Sequence, residues 1–296
     1  MTTPPPLIFD RRLARRRLAR AAAAGAEEFL LVHACEELCE RLSSIKRKFS
    51  AVLDAGTPSP WLAARLADRL RPSLLVRMAP LAETPSDGSL MRLLGDEENL
   101  PLAPECFDLA VSALSLHKLN DLPGALLQLR RVLKPDGLFL GCLLGGQTLH
   151  ELRTALAVAE TEIYGGISPR VAPFADVRDM GGLLQRAGFA LPVADSEPVT
   201  VRYADMFGLM RDLRAMGAAN ALSARLRKPA RKEFFLRAAN TYAERFADPC
   251  GRVRATFEMI FVSGWAPHES QQKPLPPGSA KMRLADALKI RPVPGI

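Results

Sequence analysis

The fold is decided by the segment FDLAVSALSLHKLNDLPGALLQLRRVLKPDGLFLGCLL, which spans residues 107–144. Its apolar pattern predicts a strand over 107–112, a helix over 121–133 and a second strand over 138–144. The turn Lys134-Pro135-Asp136-Gly137 ends the helix, because proline presets one turn angle and glycine accepts the positive φ that closes the turn. A strand, a helix and a strand in this order predict two parallel strands joined by a right-handed crossover.

The same alternation continues on both sides of this segment. Apolar runs predict five further strands, over 49–53, 73–76, 90–94, 198–203 and 255–264. Helical patterns occupy 61–70, 148–164 and 176–188, and two more lie between the last two strands, over 206–216 and 232–246. We therefore predict an α/β fold. It has a doubly wound, mostly parallel sheet of seven strands, N-terminal helices, and a helical insertion that covers the mouth of the site.

Composition narrows the class of protein. The chain has 296 residues, of which 48% are hydrophobic and 24% charged, and this predicts a globular, soluble protein. No apolar run approaches the roughly 20 residues of a membrane-spanning helix, and no secretion signal opens the chain, so the cytosol is the expected compartment. Five cysteines without a C-x-x-C pair favour reduced thiols, and we expect no metal site.

The first part of the chain is strongly basic. Six arginines alternate with leucine and alanine, at positions 11, 12, 15, 16, 17 and 20. This run is typical of a solvated helix that docks on the body, of a transit peptide, or of an arm for anionic lipid or nucleic acid. It contains no aromatic residue for base stacking. We expect three parts: basic helices over 1–45, a main domain over 46–264 with a helical cap over about 204–250, and an extended tail over 265–296.

Candidate ligand-binding residues follow the predicted strands, because open parallel sheets bind ligands at the carboxyl ends of their strands. Asp54 and Gly56 begin a glycine turn after the first strand. The segment Thr57-Pro58-Ser59-Pro60 then lacks further glycines, and its prolines remove two N–H donors. An ordinary strand-to-helix loop with proline at the helix start remains the alternative.

The next strands offer fewer polar groups of the expected kind. The second strand is followed by Arg77-Met78-Ala79-Pro80 instead of a carboxylate for ribose hydroxyls, and Glu83 is the nearest acid. After the third strand, Asp96 and Glu97 could accept from an adenine amine or form a solvated acidic turn.

The fourth strand ends in a short polar stretch. We expect Ser112 and Leu114 at the mouth of the sheet, close to a single histidine, His117. His117 is a weak candidate for a general base, and a hydrogen-bonded structural role is the alternative, since no partner acid is identified by spacing.

These motifs resemble known families at two levels. The stretch over 107–117, with NDLP at 120–123 and LKPDG at 133–137, resembles the class I S-adenosylmethionine-dependent methyltransferases, whose fold is Rossmann-like. A closer resemblance is to the respiratory complex I assembly factor 5 family. It rests on FDRR (9–12), GGQTLHELR (145–153), GISP (166–169), GW (264–265) and HESQ (268–271), and it covers nearly the whole chain.

The resemblance implies a function and a cofactor. It implies S-adenosylmethionine, bound by Asp54, Gly56, Asp96, Glu97, Ser112 and Leu114. It implies action on a protein substrate by methylation or arginine hydroxylation, with an iron–sulfur subunit of complex I as the partner. That family is related to the malonyl-carrier-protein methyltransferases. In the assembly-factor family, the basic N-terminal segment belongs to the mature protein. A bacterial member is expected in the cytoplasm or peripherally at the inner membrane.

The sequence also departs from that family. Only Asp54 and Gly56 remain of its glycine-rich loop, and the acid after the second strand is missing at 77–80. Two hypotheses therefore stay open: a methyltransferase-like enzyme, and a catalytically inactive chaperone of the same fold that does not bind the cofactor. Nucleic-acid modification is a third and less favoured hypothesis, because aromatic platforms are absent from the basic segment.

Overall fold

The computed structural model describes residues 7–83 and 90–272. Its strands form one seven-stranded sheet with the order β3-β2-β1-β4-β5-β7-β6. The strands are β1 (Ala51–Ala55), β2 (Leu74–Ala79), β3 (Met91–Leu94), β4 (Phe107–Ala113), β5 (Leu133–Leu144), β6 (Ala190–Tyr203) and β7 (Val253–Trp265). The first five strands pair in parallel, and β7 pairs antiparallel with both β5 and β6. The predicted doubly wound, mostly parallel sheet is confirmed.

Helices cover both faces of this sheet. They are α1 (Arg11–Ala23), α2 (Phe29–Ser43), α3 (Trp61–Leu70), α4 (Leu122–Val132), α5 (His150–Tyr164), α6 (Val177–Arg186), α7 (Met206–Ala215) and α8 (Lys232–Phe246). Apolar side chains of α4 and α6 pack on one face, and those of α2, α3, α5, α7 and α8 pack on the other. The central strands are buried from both sides, which is why they are mostly apolar and do not alternate between apolar and polar residues. The N-terminal helices and the helical insertion before the last strand are both present as predicted.

Most strands extend beyond their predicted bounds, and β2 and β6 show the cause. β2 continues to Ala79, because Met78 and Ala79 pair with Leu93 and Leu94 of β3. Arg77 therefore lies inside the strand, and the prediction that it follows the strand is wrong. β6 is likewise longer than the predicted 198–203, since its first half pairs with the long strand β7. In both cases a partner strand, and not the local sequence, sets the end.

The turn before the fifth strand differs from the expectation. The positive φ angle belongs to Asp136 (60°), and Gly137 has no positive φ. Glycine is needed at 137 for a different reason: a β-carbon there would lie 2.8 Å from the backbone oxygen of Lys134. Residues 134–137 form an irregularity in β5, which already pairs at Leu133 with Phe107.

The ends of the chain are described only in part. Residues 1–6 of the predicted basic segment and residues 273–296 of the predicted extended tail lie outside the described residues, as do residues 84–89 of the loop after β2. Within the described ranges, no helix is both long enough and apolar enough to cross a bilayer.

We expect Gly137→Ala to lower the free energy of unfolding by about 1–3 kcal/mol, because overpacking against a backbone oxygen forces the turn to move. Gly181→Ala is the matched control, since a β-carbon at position 181 in α6 meets no atom within 4 Å. The control should stabilise slightly, as alanine does in a helix interior. Denaturant unfolding measures both variants, and equal stabilities would contradict the assignment of strain to position 137.

Candidate functional site

The candidate site lies where the carboxyl ends of β1, β2 and β4 meet. Asp54 of β1 is fully buried and stands in register with Arg77 of β2. The Arg77 side chain is also fully buried, and its Nη1 atom donates to Oδ2 of Asp54 at 2.6 Å. A charged side chain is almost never fully buried unless it is paired, so this contact is a structural requirement of both residues.

Arg77 also joins two loops to the strands. Its Nη2 atom donates to the backbone oxygen of Thr57 at 2.9 Å and to Glu83 at 2.6 Å. The Nε atom of Arg77 faces both carboxylate oxygens of Glu83, at 3.0 and 3.1 Å. Burial raises the pKa of the Asp54 carboxyl, and the guanidinium opposes that shift. The negative charge of Asp54, the predicted ligand-binding residue at the end of β1, is thus balanced by an arginine of the same chain.

Gly56 lies beside the acidic turn that follows β3. Its φ angle of 79° is in the left-handed region that glycine adopts without strain. A β-carbon on residue 56 would lie 2.6 Å from Cγ of Glu97. The structure therefore brings together two of the predicted residues, Gly56 and Glu97, in direct contact with one another.

Two arginines of α1 bind the same acidic turn. Arg11 contacts Asp96 at 2.5 Å, Glu97 at 2.7 Å and Glu98 at 2.8 Å, and Arg15 contacts Asp96 at 2.6 Å. Partial burial alone would raise the pKa of Asp96, but the backbone N–H of Glu98 and these arginines bring it below its ordinary value. The basic helix is thus docked on the body.

The segment before α1 is fixed by residues from distant parts of the chain. The backbone N–H of Phe9 donates to Oδ1 of Asn120 at 2.8 Å. The N–H of Asp10 donates to the carbonyl of Ala221 at 2.8 Å, and the Asp10 carboxylate faces Arg225 at 3.3 Å. Residues 9–23 therefore form a strap across the carboxyl end of the sheet.

The residues after β4 make internal contacts. The hydroxyls of Ser112 and Ser115 are 3.0 Å apart, and both side chains are buried. Leu114 has a φ of 51° and its N–H donates to the carbonyl of Cys142. The hydroxyl of Thr57 accepts from the N–H of Ala113 at 3.2 Å. Ser112 thus has a partner inside the protein, whereas Leu114 faces the cavity described next.

A cavity of about 930 Å³ opens at this end of the sheet, inside the usual size range of ligand sites. Its wall is mostly apolar and comes from α1, α2, α5, α7 and the loops after β1, β2 and β4. Among the predicted site residues, Leu114 and His117 line it, and Asp54, Gly56, Asp96, Glu97 and Ser112 do not. The helical insertion contributes Met210 and Leu213 to the wall of the cavity.

His117 is buried in the wall of this cavity. Its Nδ1 atom has no hydrogen-bond partner among the described residues, and its ring lies 5.8 Å from the ring of Phe174. Burial lowers the pKa of the imidazole well below its ordinary value, and the adjacent Lys118 cation adds to the shift. A neutral imidazole with one unused nitrogen could accept a hydrogen bond from a ligand. Among the residues described, no cluster of His, Cys, Asp and Glu could hold a metal ion.

Two functional contacts were missed by the sequence reasoning. For Arg77, only the absence of an acid after the second strand was recognised. A single arginine in the apolar run LLVRMA at 74–79 is itself a signal for a buried, paired cation. Arg11 was recognised only as part of a basic run. No local signal identifies its partners, which lie 85 or more residues further along the chain.

Comparisons with known proteins agree with the fold. A family model described as a methyltransferase domain matches residues 55–141. Among solved structures, a provisionally assigned methyltransferase from Bacillus halodurans has a TM-score of 0.53 at 16% identity, and the match covers 79% of this chain and 99% of that one. At this identity the likeness shows the fold alone.

Full-length relatives are more informative. The chain is 37% identical to the mitochondrial arginine-hydroxylase NDUFAF5 of Danio rerio, over 96% of this chain and 90% of the relative. It is 38% identical to the human protein of the same name, over 98% of this chain and 86% of the relative. A malonyl-[acyl-carrier protein] O-methyltransferase of a Methylovorus strain is 36% identical over 88% of this chain and 90% of its own length.

We expect Arg11→Ala to loosen the strap. A hydrogen bond between charged groups contributes about 1.5–3 kcal/mol, so amide exchange within α1 should become about tenfold faster or more. Arg12→Ala is the matched control, because Arg12 is exposed on the same helix. Hydrogen–deuterium exchange resolves the two variants, and equal exchange rates would show that Arg11 does not hold α1 in place.

Proposed function

The chain belongs to the NDUFAF5 family of methyltransferase-fold proteins, and on that premise we propose that it acts on a protein substrate during the assembly of respiratory complex I. An iron–sulfur subunit is the partner that the resemblance implies. The relatives are named as mitochondrial proteins. For a chain from a bacterium, the compartment that corresponds to the inside of the mitochondrion is the cytoplasm or the inner face of the membrane. A nucleic-acid substrate is not favoured, since the arginines at 11 and 15 are engaged by acidic residues of the chain itself.

The observation that carries this proposal is the apolar cavity. Its wall contains leucines from four helices, among them Leu18 of α1, Leu31 of α2, Leu152 of α5 and Leu213 of α7. Such a wall suits the aliphatic and aromatic side chains of a peptide segment. Polar groups near it, including His117 and Arg170, could orient the backbone or a polar side chain of that segment.

In its first form the function is a modification by methylation or arginine hydroxylation. The names of the full-length relatives favour this form, because two groups of them are named as a hydroxylase and a methyltransferase. His117 is a weak candidate for the general base, since its neutral imidazole faces the cavity. S-adenosylmethionine is the cofactor that the resemblance implies for this form.

In its second form the protein holds its substrate without chemistry. The pairing of Asp54 with Arg77 favours this form, because one oxygen of the carboxylate that the resemblance assigns to the cofactor is already bound by a cation of the chain. Gly56 is covered by Glu97, and Pro58 and Pro60 provide no N–H donors. As they are arranged, these residues do not fit S-adenosylmethionine.

Both forms require the cavity, which makes it the target of the test. In a strain that lacks the gene, we expect the wild-type chain to restore complex I and Ala14→Phe to restore several-fold less, because the added ring enters the cavity from α1. Ala19→Phe is the control, since Ala19 is exposed on the same helix and does not line the cavity. NADH:quinone reductase activity of the membranes measures the level of assembled complex.

The outcomes separate the parts of the proposal. A deletion strain with normal complex I would overturn the partner. Full restoration by Ala14→Phe would overturn the cavity as the site of action. Both variant proteins should melt as the wild type does, which is checked by circular dichroism before the result is interpreted.

A further inference from the structure

Arg77 is a buried cation at the place where the sheet would hold a nucleoside. In nucleotide-binding sheets of this type, a carboxylate at the end of the second strand accepts hydrogen bonds from the ribose hydroxyls. Here β2 ends at Ala79 without a carboxylate, and Arg77, which lies inside the strand two residues before that end, carries a guanidinium with five N–H donors and no acceptor. Its side chain is fully buried beside Asp54, so it cannot turn to solvent without breaking that pair.

The guanidinium occupies most of the acceptors that a cofactor would need at this place. It binds Oδ2 of Asp54 in β1, the Thr57 carbonyl of the next loop, and the Glu83 carboxylate of the loop after β2, whereas Oδ1 of Asp54 is buried and has no hydrogen-bond partner among the described residues. The ribose hydroxyls and the α-ammonium group of S-adenosylmethionine are donors and would compete for these same oxygens. They would have to displace a cation that is already out of water and held in place at three points.

Charge also opposes the cofactor. S-adenosylmethionine carries a sulfonium and an ammonium group, and a ligand over the end of β1 would bring positive charge close to Arg77. Arg92 lies 3.7 Å from Glu83, so two arginines and two carboxylates already balance one another. The cluster therefore has no net negative charge to attract a cation.

The neighbouring surfaces are closed by other side chains. Glu97 fills the space above Gly56, and Arg11 of the strap holds Glu97 there at 2.7 Å. The prolines at 58 and 60 remove backbone donors that could bind a ligand carboxylate. Three independent features thus oppose binding of the cofactor: the cation at 77, the carboxylate over Gly56 and the missing N–H donors.

We propose that this chain closes its cofactor site with its own side chains, and that Arg77 is the positioning residue which holds the closed arrangement. Arg77 connects β1 to the loops after β1 and β2, as a bound ligand would. Asp54, Gly56 and Arg77 do not line the cavity of the proposed action on a protein substrate, whereas Glu83, Arg92 and the prolines at 58 and 60 do, so the closed arrangement forms part of the cavity wall.

The first experiment is a calorimetric and thermal-shift titration of the wild-type chain with S-adenosylmethionine and S-adenosylhomocysteine up to about 1 mM. A site with a Kd near 10 µM would raise the Tm by about 5 °C or more under these conditions. We expect no saturable heat and no such shift, whereas a cofactor-binding methyltransferase run in parallel should give both. Saturable binding by the wild-type chain overturns the closure, and leaves the complementation result untouched.

The second experiment tests the positioning role. Arg77→Met should lower the Tm by about 10 °C, because it leaves Asp54 buried without its counter-charge, and exposed Arg12→Met should leave the Tm unchanged. The double variant Asp54→Asn with Arg77→Met should recover part of the loss, since neither charge of the fully buried pair remains and Glu83 keeps its contact with Arg92. If Arg77→Met is insoluble, the double variant alone decides: a Tm below that of Asp54→Asn supports the role. A Tm for Arg77→Met equal to that of Arg12→Met overturns it.

Discussion

A charged side chain that lies wholly inside a protein must have its counter-charges beside it, and this requirement organises the carboxyl end of the sheet. Arg77 is placed by the parallel register of β1 and β2, which sets it opposite Asp54. Its remaining donors then fix the Thr57 carbonyl and Glu83, so two loops that follow different strands are bound to one group. The conformation of the loop after β1 is therefore a consequence of electrostatics inside the sheet as much as of the glycine and prolines in its sequence.

A second set of charges determines how the cavity is enclosed. The acidic turn after β3 binds Arg11 and Arg15, and this holds α1 over the cavity with its apolar side facing inward. The same turn covers Gly56 through Glu97. One short segment thus links the wall of the apolar cavity to the loop after β1. The apolar cavity and the loop after β1 differ in polarity and in the residues that line them. Both are held in place by the acidic turn after β3.

Much of this architecture could be predicted because it is encoded locally. Apolar periodicity and turn residues gave α3, α7 and α8 within one residue of their bounds, and they gave all seven strands. What could not be predicted depends on distant partners. The end of β2 is set by pairing with β3, and without that pairing Arg77 was read as part of a loop. The sequence located the acidic turn at 96–97 correctly after β3, but its partner is in a helix 85 residues earlier. Such pairings follow from the fold and not from spacing.

The strap has a consequence for the order in which the molecule is completed during synthesis. Its residues leave the ribosome well before the groups that fix them: Asn120 for Phe9, and Ala221 and Arg225 for Asp10. The helix α1 can form early, because its hydrogen bonds are local, but it cannot be fully secured until about three quarters of the chain has been translated. The cavity therefore remains unsealed while the sheet beneath it is assembled. Its closure therefore cannot precede the synthesis of residues 221–225, which follow α7 and hold the segment before α1.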